Sequence, residues 1–126
     1  MKSTKGFTLV ELVIVIVIVG ILSVVAVPVY KGYTKKAMAT EGKALLGAIN
    51  TSQKVYFAEW ANFVNSGQSA VLDVDASTNK YFTTFTLSGS GTGFTAGTTG
   101  TGGASGITLS LTGSSNGASN ITEIGL

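Results

Sequence analysis

The sequence contains no cysteine and no histidine. Without cysteine no disulfide can staple the fold, and no thiol can act as nucleophile or metal ligand. Without histidine the commonest general base and metal ligand is missing. Charge is also scarce: Asp, Glu, Lys and Arg make up 11% of the chain, against about 25% in ordinary soluble domains. After Lys80 the only charged side chain is Glu123. The formal net charge of +2 is too small to point to nucleic acid. Proline occurs once, at Pro28. With 126 residues the chain is long enough for one domain and too short for two.

A long apolar run is what stands out. Residues 7–29 are interrupted only by Thr8, Glu11, Gly20, Ser23 and Pro28. As a helix the run extends about 34 Å, enough to cross a bilayer core of about 30 Å. Valine and isoleucine, which dominate it, favour strands in water. In lipid the helix wins because it satisfies its own backbone groups. A short basic stretch, "MKSTKG", precedes the run. Removing those six residues leaves six lysines against six acids, a neutral chain with little self-repulsion to keep it monomeric.

Helical spacing continues past Pro28. Met38, Leu45, Ile49, Tyr56 and Trp60 follow steps of seven and four, with Gly42 and Ser52 on the same stripe. Lys35, Lys36, Lys43 and Lys54 fall largely elsewhere. The expectation is one helix over about residues 7–60, apolar all round in its first half and amphipathic in its second. Tyr30 and Tyr33 read as interfacial residues, and Tyr56 and Trp60 as core under a sheet. Residues 61–80 read as a connection. Beyond them "KYFTTFTLSG" and "GITLSLTG" alternate apolar with Thr or Ser, "GFTAGTTG" is a weaker strand and "NITEIGL" an edge strand. Gly-rich segments separate these stretches. The fold class is therefore α+β, with the second half of the helix packed on an antiparallel sheet of three to four strands. Strand periodicity gives no support to order at residues 98–105.

The stretch "KGFTLVELVIVIVIVGILSVVAVP" closely resembles the N-terminal signature of type IV pilins and type II secretion pseudopilins. The likeness rests on the basic leader, Gly immediately before Phe, "FTLVE", the apolar helix and Pro28 near its end. It divides the chain into a leader (1–6), a transmembrane and filament-core helix (7–29), the amphipathic half of that helix (30–60) and a loop-and-sheet region (61–126). It implies that a prepilin peptidase cuts between Gly6 and Phe7 and methylates the new amine of Phe7. It also implies residence in the inner membrane before assembly, an inner-membrane assembly platform as partner, and a homo-oligomeric helical filament outside the cell. Between Gly20 and Pro28 it implies a helix that loosens on assembly.

Glu11 is the residue out of place. A carboxylate at the centre of a membrane helix costs about 2.5–3.5 kcal/mol even on insertion scales. In a dry filament core it needs a partner, and cleavage creates one in the Phe7 amine. Pairing with the amine of a neighbouring subunit would set axial register. Pairing within one chain, one helical turn away, is the other possibility.

Catalytic groups are wanting. There is no phosphate loop of the Walker kind and no cofactor motif. Asp73 and Asp75 in "DVDAST" are weak metal candidates, because the acids, central Gly and terminal Glu of a calcium loop are missing. The expected role is thus structural: a pilus subunit, with a secretion pseudopilin and a non-polymerising, single-span binding module as alternatives. Adhesion, motility, DNA uptake and secretion are all compatible with the architecture.

Overall fold

The structure, a computed structural model, describes residues 6–126. Residues 1–5 of the expected leader lie outside the described residues. The chain divides into two compact units, with the boundary between Tyr33 and Thr34. A helix α1 (Leu9–Trp60) runs through both. It is followed by a 3-10 turn at Ser66–Leu72 and strands β1 (Thr86–Gly89), β2 (Gly93–Thr99), β3 (Thr108–Ser114) and β4 (Ser119–Ile124).

Among its described residues, the first unit is helix from Leu9 onward. Every described residue from Gly6 to Val29 is exposed, so nothing among the described residues covers its valines, isoleucines and leucines. Ser23 bonds its hydroxyl back to the Val19 carbonyl at 2.7 Å, which satisfies a polar group without outside help.

The second unit is an α+β layer. The strands form an antiparallel meander in the order β1-β2-β3-β4. Alternation sorts each strand: Leu87, then Phe94 and Ala96, then Leu109 and Leu111 are buried on one face. Against that face pack Ala39, Leu45, Leu46 and Ile49 of α1. Gly42 lets the helix come close, since a Cβ there would meet Leu109 and the Phe82 ring.

The buried stripe of α1 is the expected one, widened on one side and ending before Trp60. Gly42, Leu45 and Ile49 of the expected stripe are buried, and Met38 and Tyr56 pack against the core, but burial extends to Ala39, Leu46 and Gln53 on one side, while Trp60 is 66% exposed. Trp60 is therefore not core. It stacks on Tyr56 instead, with ring centroids 6.2 Å apart. Beneath the sheet its expected place is taken by Phe63, which lies 4.5 Å from Phe57 and 5.0 Å from Phe94 between ring centroids.

Strand β1 is shorter than its alternation suggests. The N–H groups of Tyr81 and Phe82 donate to Glu41 Oε1 at 2.7 and 2.9 Å. They are spent on a helix side chain, and pairing with β2 begins only at Thr86. The weaker candidate, by contrast, is a full strand: β2 pairs on both sides, over its whole length with β3. Residues 98–105 are also tied in. Thr98 donates to the Thr84 carbonyl at 2.6 Å, the Thr101 N–H donates to the Tyr81 carbonyl at 2.8 Å, and Ala104 is fully buried.

Candidate functional site: the N-terminal assembly end

Thr8 and Glu11 form a reciprocal cap at the start of α1. The Glu11 N–H donates to Thr8 Oγ1 at 3.2 Å, and the Thr8 N–H donates to Glu11 Oε2 at 3.0 Å. The Thr8 hydroxyl adds a third bond, to the same Oε2 at 2.8 Å. This is the capping box T-x-x-E, which satisfies two otherwise orphaned N–H groups at a helix start. A carboxylate there also faces the positive end of the helix dipole. Thr8 is the residue that sequence reading missed. The signal was present, a threonine three residues before a glutamate at the edge of an apolar run.

The cap changes the question posed by Glu11. With residues 1–6 attached, Phe7 offers a peptide N–H rather than a free amine, and the Glu11 carboxylate is held by Thr8. Both bonds to the carboxylate come from Thr8 and end on Oε2, and Oε1 has no partner among the described residues. Phe7 itself is 93% exposed, beside exposed Gly6. The Gly6–Phe7 segment before the capped helix is exposed and non-helical.

Gly20 and Pro28 both lie inside continuous α-helix. No neighbouring group comes within 4 Å of the position a Gly20 Cβ would take. Pro28 has no N–H to offer the carbonyl one turn back, which leaves a gap in the ladder of an otherwise unbroken helix. By length and composition, α1 is able to cross a membrane near its N-terminus.

The second unit carries structural carboxylates. Burial pushes the Glu41 carboxyl up, but N–H donation from Tyr81, Phe82 and Lys80, with the Lys80 charge, outweighs this and holds its pKa below the ordinary 4.5. Asp75 accepts the Ser77 N–H at 2.8 Å, and this contact with Ser77 lowers its pKa. Asp73 closes the preceding 3-10 turn in a left-handed conformation, φ 50°. Both aspartates thus have places in turns. Edge strand β4 is stitched to α1 by polar contacts: Lys43 to Glu123 at 2.6 Å, Lys35 to the Gly125 carbonyl at 3.2 Å and Lys54 to the Gly117 carbonyl at 3.1 Å.

A capped helix that is apolar all round over residues 9–29, in a chain whose second unit is a helix on a four-stranded meander, defines an α+β protein with a helix long and apolar enough to cross a membrane. Comparison with known proteins agrees. Residues 1–27 match the family described as the prokaryotic N-terminal methylation motif. The fimbrial protein EcpC of Eikenella corrodens is 36% identical over 118 residues, covering 89% of this chain and 76% of that protein. A fimbrial protein of Moraxella nonliquefaciens is 38% identical over 81 residues, or 64% of this chain and 53% of the relative. The type IV major alpha-pilin of Moraxella bovis is 39% identical over 80 residues, or 64% and 46%. The chain spans about half the length of these two Moraxella relatives. No solved structure gives a match. The chain belongs to the type IV pilin superfamily.

Proposed function

We propose that this chain is the structural subunit of a type IV pilus. The observation that carries this reading is the first unit: an apolar helix exposed on every side, capped by Thr8 and Glu11, directly after a Gly-Phe junction within a matched methylation motif. An uncovered surface of that size needs lipid first and neighbouring helices later. The names of the relatives, fimbrial protein and type IV major pilin, favour a pilus over a secretion pseudopilus or a non-polymerising module.

In this reading residues 1–6 are a leader removed by a prepilin peptidase between Gly6 and Phe7, and the Phe7 amine is then methylated. The precursor resides in the inner membrane and passes to an assembly platform there. The mature subunit joins a homo-oligomeric extracellular filament and performs no catalysis of its own. Glu11 has a double task. Oε2 holds the Thr8 cap, and Oε1 accepts the Phe7 amine of a neighbouring subunit. A dry helical core makes any other stagger costly, because the charge would be buried unpaired. Between Gly20 and Pro28 the helix loosens when subunits pack, starting from the missing proline N–H.

Variants at both positions test this. Glu11→Gln keeps an oxygen for the Thr8 cap but loses the charge, so leader processing continues and filament yield falls at least about tenfold. Thr8→Ala removes the hydroxyl part of the cap, worth about 1 kcal/mol, and reduces yield less. Electron microscopy and shearing of surface filaments give the readout. Normal filaments from Glu11→Gln would refute the register role.

A further inference from the structure

In the second unit, charges and exposed apolar side chains are sorted onto two opposite flanks of α1. Residues 34–126 carry five lysines, Lys35, Lys36, Lys43, Lys54 and Lys80, and five acids, Glu41, Glu59, Asp73, Asp75 and Glu123. Along α1, Glu41 and Glu59 are 18 residues apart, as are Lys36 and Lys54. Eighteen residues make about five full turns, so each pair projects along one line of the helix. The buried stripe of Gly42, Leu46 and Ile49 lies between the two lines. On the acidic side, Glu41 borders a groove with Asp73 and Asp75. Glu59 borders the next groove, of about 280 Å³, with Val55, Trp60 and Val71. On the basic side, Lys43 reaches β4, and Lys35 and Lys54 reach the backbone at its two ends.

Part of this charge is neutralised within the chain. Lys43 holds Glu123, and Lys80, over the Tyr81 ring, acts on Glu41. Glu59, Asp73 and Asp75 remain on one flank and Lys35, Lys36 and Lys54 on the other, with no opposite charge in ion-pair contact among the described residues. The exposed large hydrophobic side chains of the second unit divide in the same way. Val55, Trp60 and Val71, each more than half exposed, share the groove with Glu59. Ile124 and Leu126 are the others, and they flank Gly125, whose carbonyl Lys35 holds. Each flank thus pairs an exposed apolar patch with charge of one sign, and the two signs are opposite.

A two-fold pair of copies joined through either flank would set like charge against like. Joining unlike flanks removes that mismatch and covers both apolar patches. We propose that the occupant of the Trp60 groove is a second copy of this chain, which places its Lys35, Lys36 and Ile124 against Val55, Glu59, Trp60 and Val71. Trp60 is the anchor of the contact: its indole offers a large area to cover and a face over which a lysine can sit. Asp73, Asp75 and Lys54 extend the fields of the two flanks and steer the approach. Lys36 and Glu59 are 23 residues apart along α1, so the two copies are displaced along the helix axis by about 35 Å. A head-to-tail contact with such a step repeats instead of closing. The contact rests on the pilus-subunit reading and adds to it which faces of the second units meet.

The chain has no cysteine, so introduced thiols report only the intended contact. The double variant Lys36→Cys with Glu59→Cys, made as the full chain in producing cells, should give a ladder of disulfide-linked multimers when sheared surface filaments are oxidised. Neither single variant should give a ladder. Within one chain the two positions are about 35 Å apart along the helix, far beyond disulfide reach, so every bond joins two copies. Glu59→Lys should lower filament yield at least about fivefold with the thermal melt of the second unit unchanged, and adding Lys36→Glu should restore most of that yield. Filaments of the double cysteine variant without a ladder, or Glu59→Lys left unrescued by Lys36→Glu, would overturn the contact and leave the subunit reading standing. Disulfide dimers from either single variant would mean a two-fold contact and overturn it as well. A parent chain that forms no surface filament would remove the subunit reading, and the contact with it.

Discussion

Residues 9–29 and 34–60 belong to one α-helix yet obey different rules. In the first stretch every side chain is exposed, although nearly all are apolar. In the second, Ala39, Gly42, Leu45, Leu46, Ile49 and Gln53 are buried in an ordinary core while the lysines face outward or toward β4. Helical propensity does not explain the contrast, because the first stretch is the richer in β-branched residues, which are the poorer helix formers. The second stretch is held by tertiary packing, as most helices in water are. For the first, the backbone is satisfied internally and the side chains are left for lipid or for other copies. Folding energy is thus concentrated in the second unit, and the apolar helix surface proposed for association lies in the first.

The widest separation between the two should come from paired truncations. Phe82 is fully buried against Gly42, and Phe82→Ala should lower the stability of the second unit by about 3–5 kcal/mol, read as a shifted thermal melt. Ile16 is 60% exposed, and Ile16→Ala should leave that melt unchanged while weakening association. A melt shifted equally by both substitutions would erase the distinction.

A smaller effect sharpens the account of where the helix hands over to the sheet. Gln53 is fully buried and holds Val64 from both sides: its Nε2 donates to the Val64 carbonyl at 2.9 Å, and the Val64 N–H donates to its Oε1 at 2.8 Å. Gln53→Ala strands both backbone groups and should cost about 1–3 kcal/mol, visible as faster amide exchange at Val64.

These two sites also show how far sequence carried the interpretation. Alternation located β3, because Ile107, Leu109 and Leu111 mark a half-buried strand plainly, and β4 was expected as an edge strand. β2 was faint because Ala96 and Gly97 carry so little side chain, even though its ladder is complete. Gln53 was invisible, since a polar residue on an apolar stripe reads as an interruption until Val64 is placed opposite it. Glu41 and Trp60 mislead in the same way. A helix glutamate that captures the N–H groups of Tyr81 and Phe82 shortens β1, and a tryptophan in helical register stays outside because Phe63 fills the core. At the N-terminus the reverse holds. Gly6, Phe7 and Glu11 carried the resemblance on which the proposed processing and assembly roles rest, while the Thr8 cap needed only the T-x-x-E spacing to be recognised.

The smallest effect is a pH dependence confined to the second unit. The folded pKa of Glu41 lies below its ordinary 4.5, so between the two values the unfolded chain binds more protons than the folded one. Stability contributed by this carboxylate is fully present above 4.5 and is lost as pH falls through the folded value. Glu41→Gln should flatten that part of the acid melt. If the variant keeps the parent's acid slope, the N–H contacts of Tyr81 and Phe82 are not its source.

The central claim is that the first unit becomes an assembly surface only after the Gly6–Phe7 bond is cut. Intact mass spectrometry of subunits sheared from the cell surface tests it most directly. The account predicts a chain that begins at N-methylated Phe7 and lacks residues 1–6. Surface filaments built from chains that still carry Met1 would contradict it.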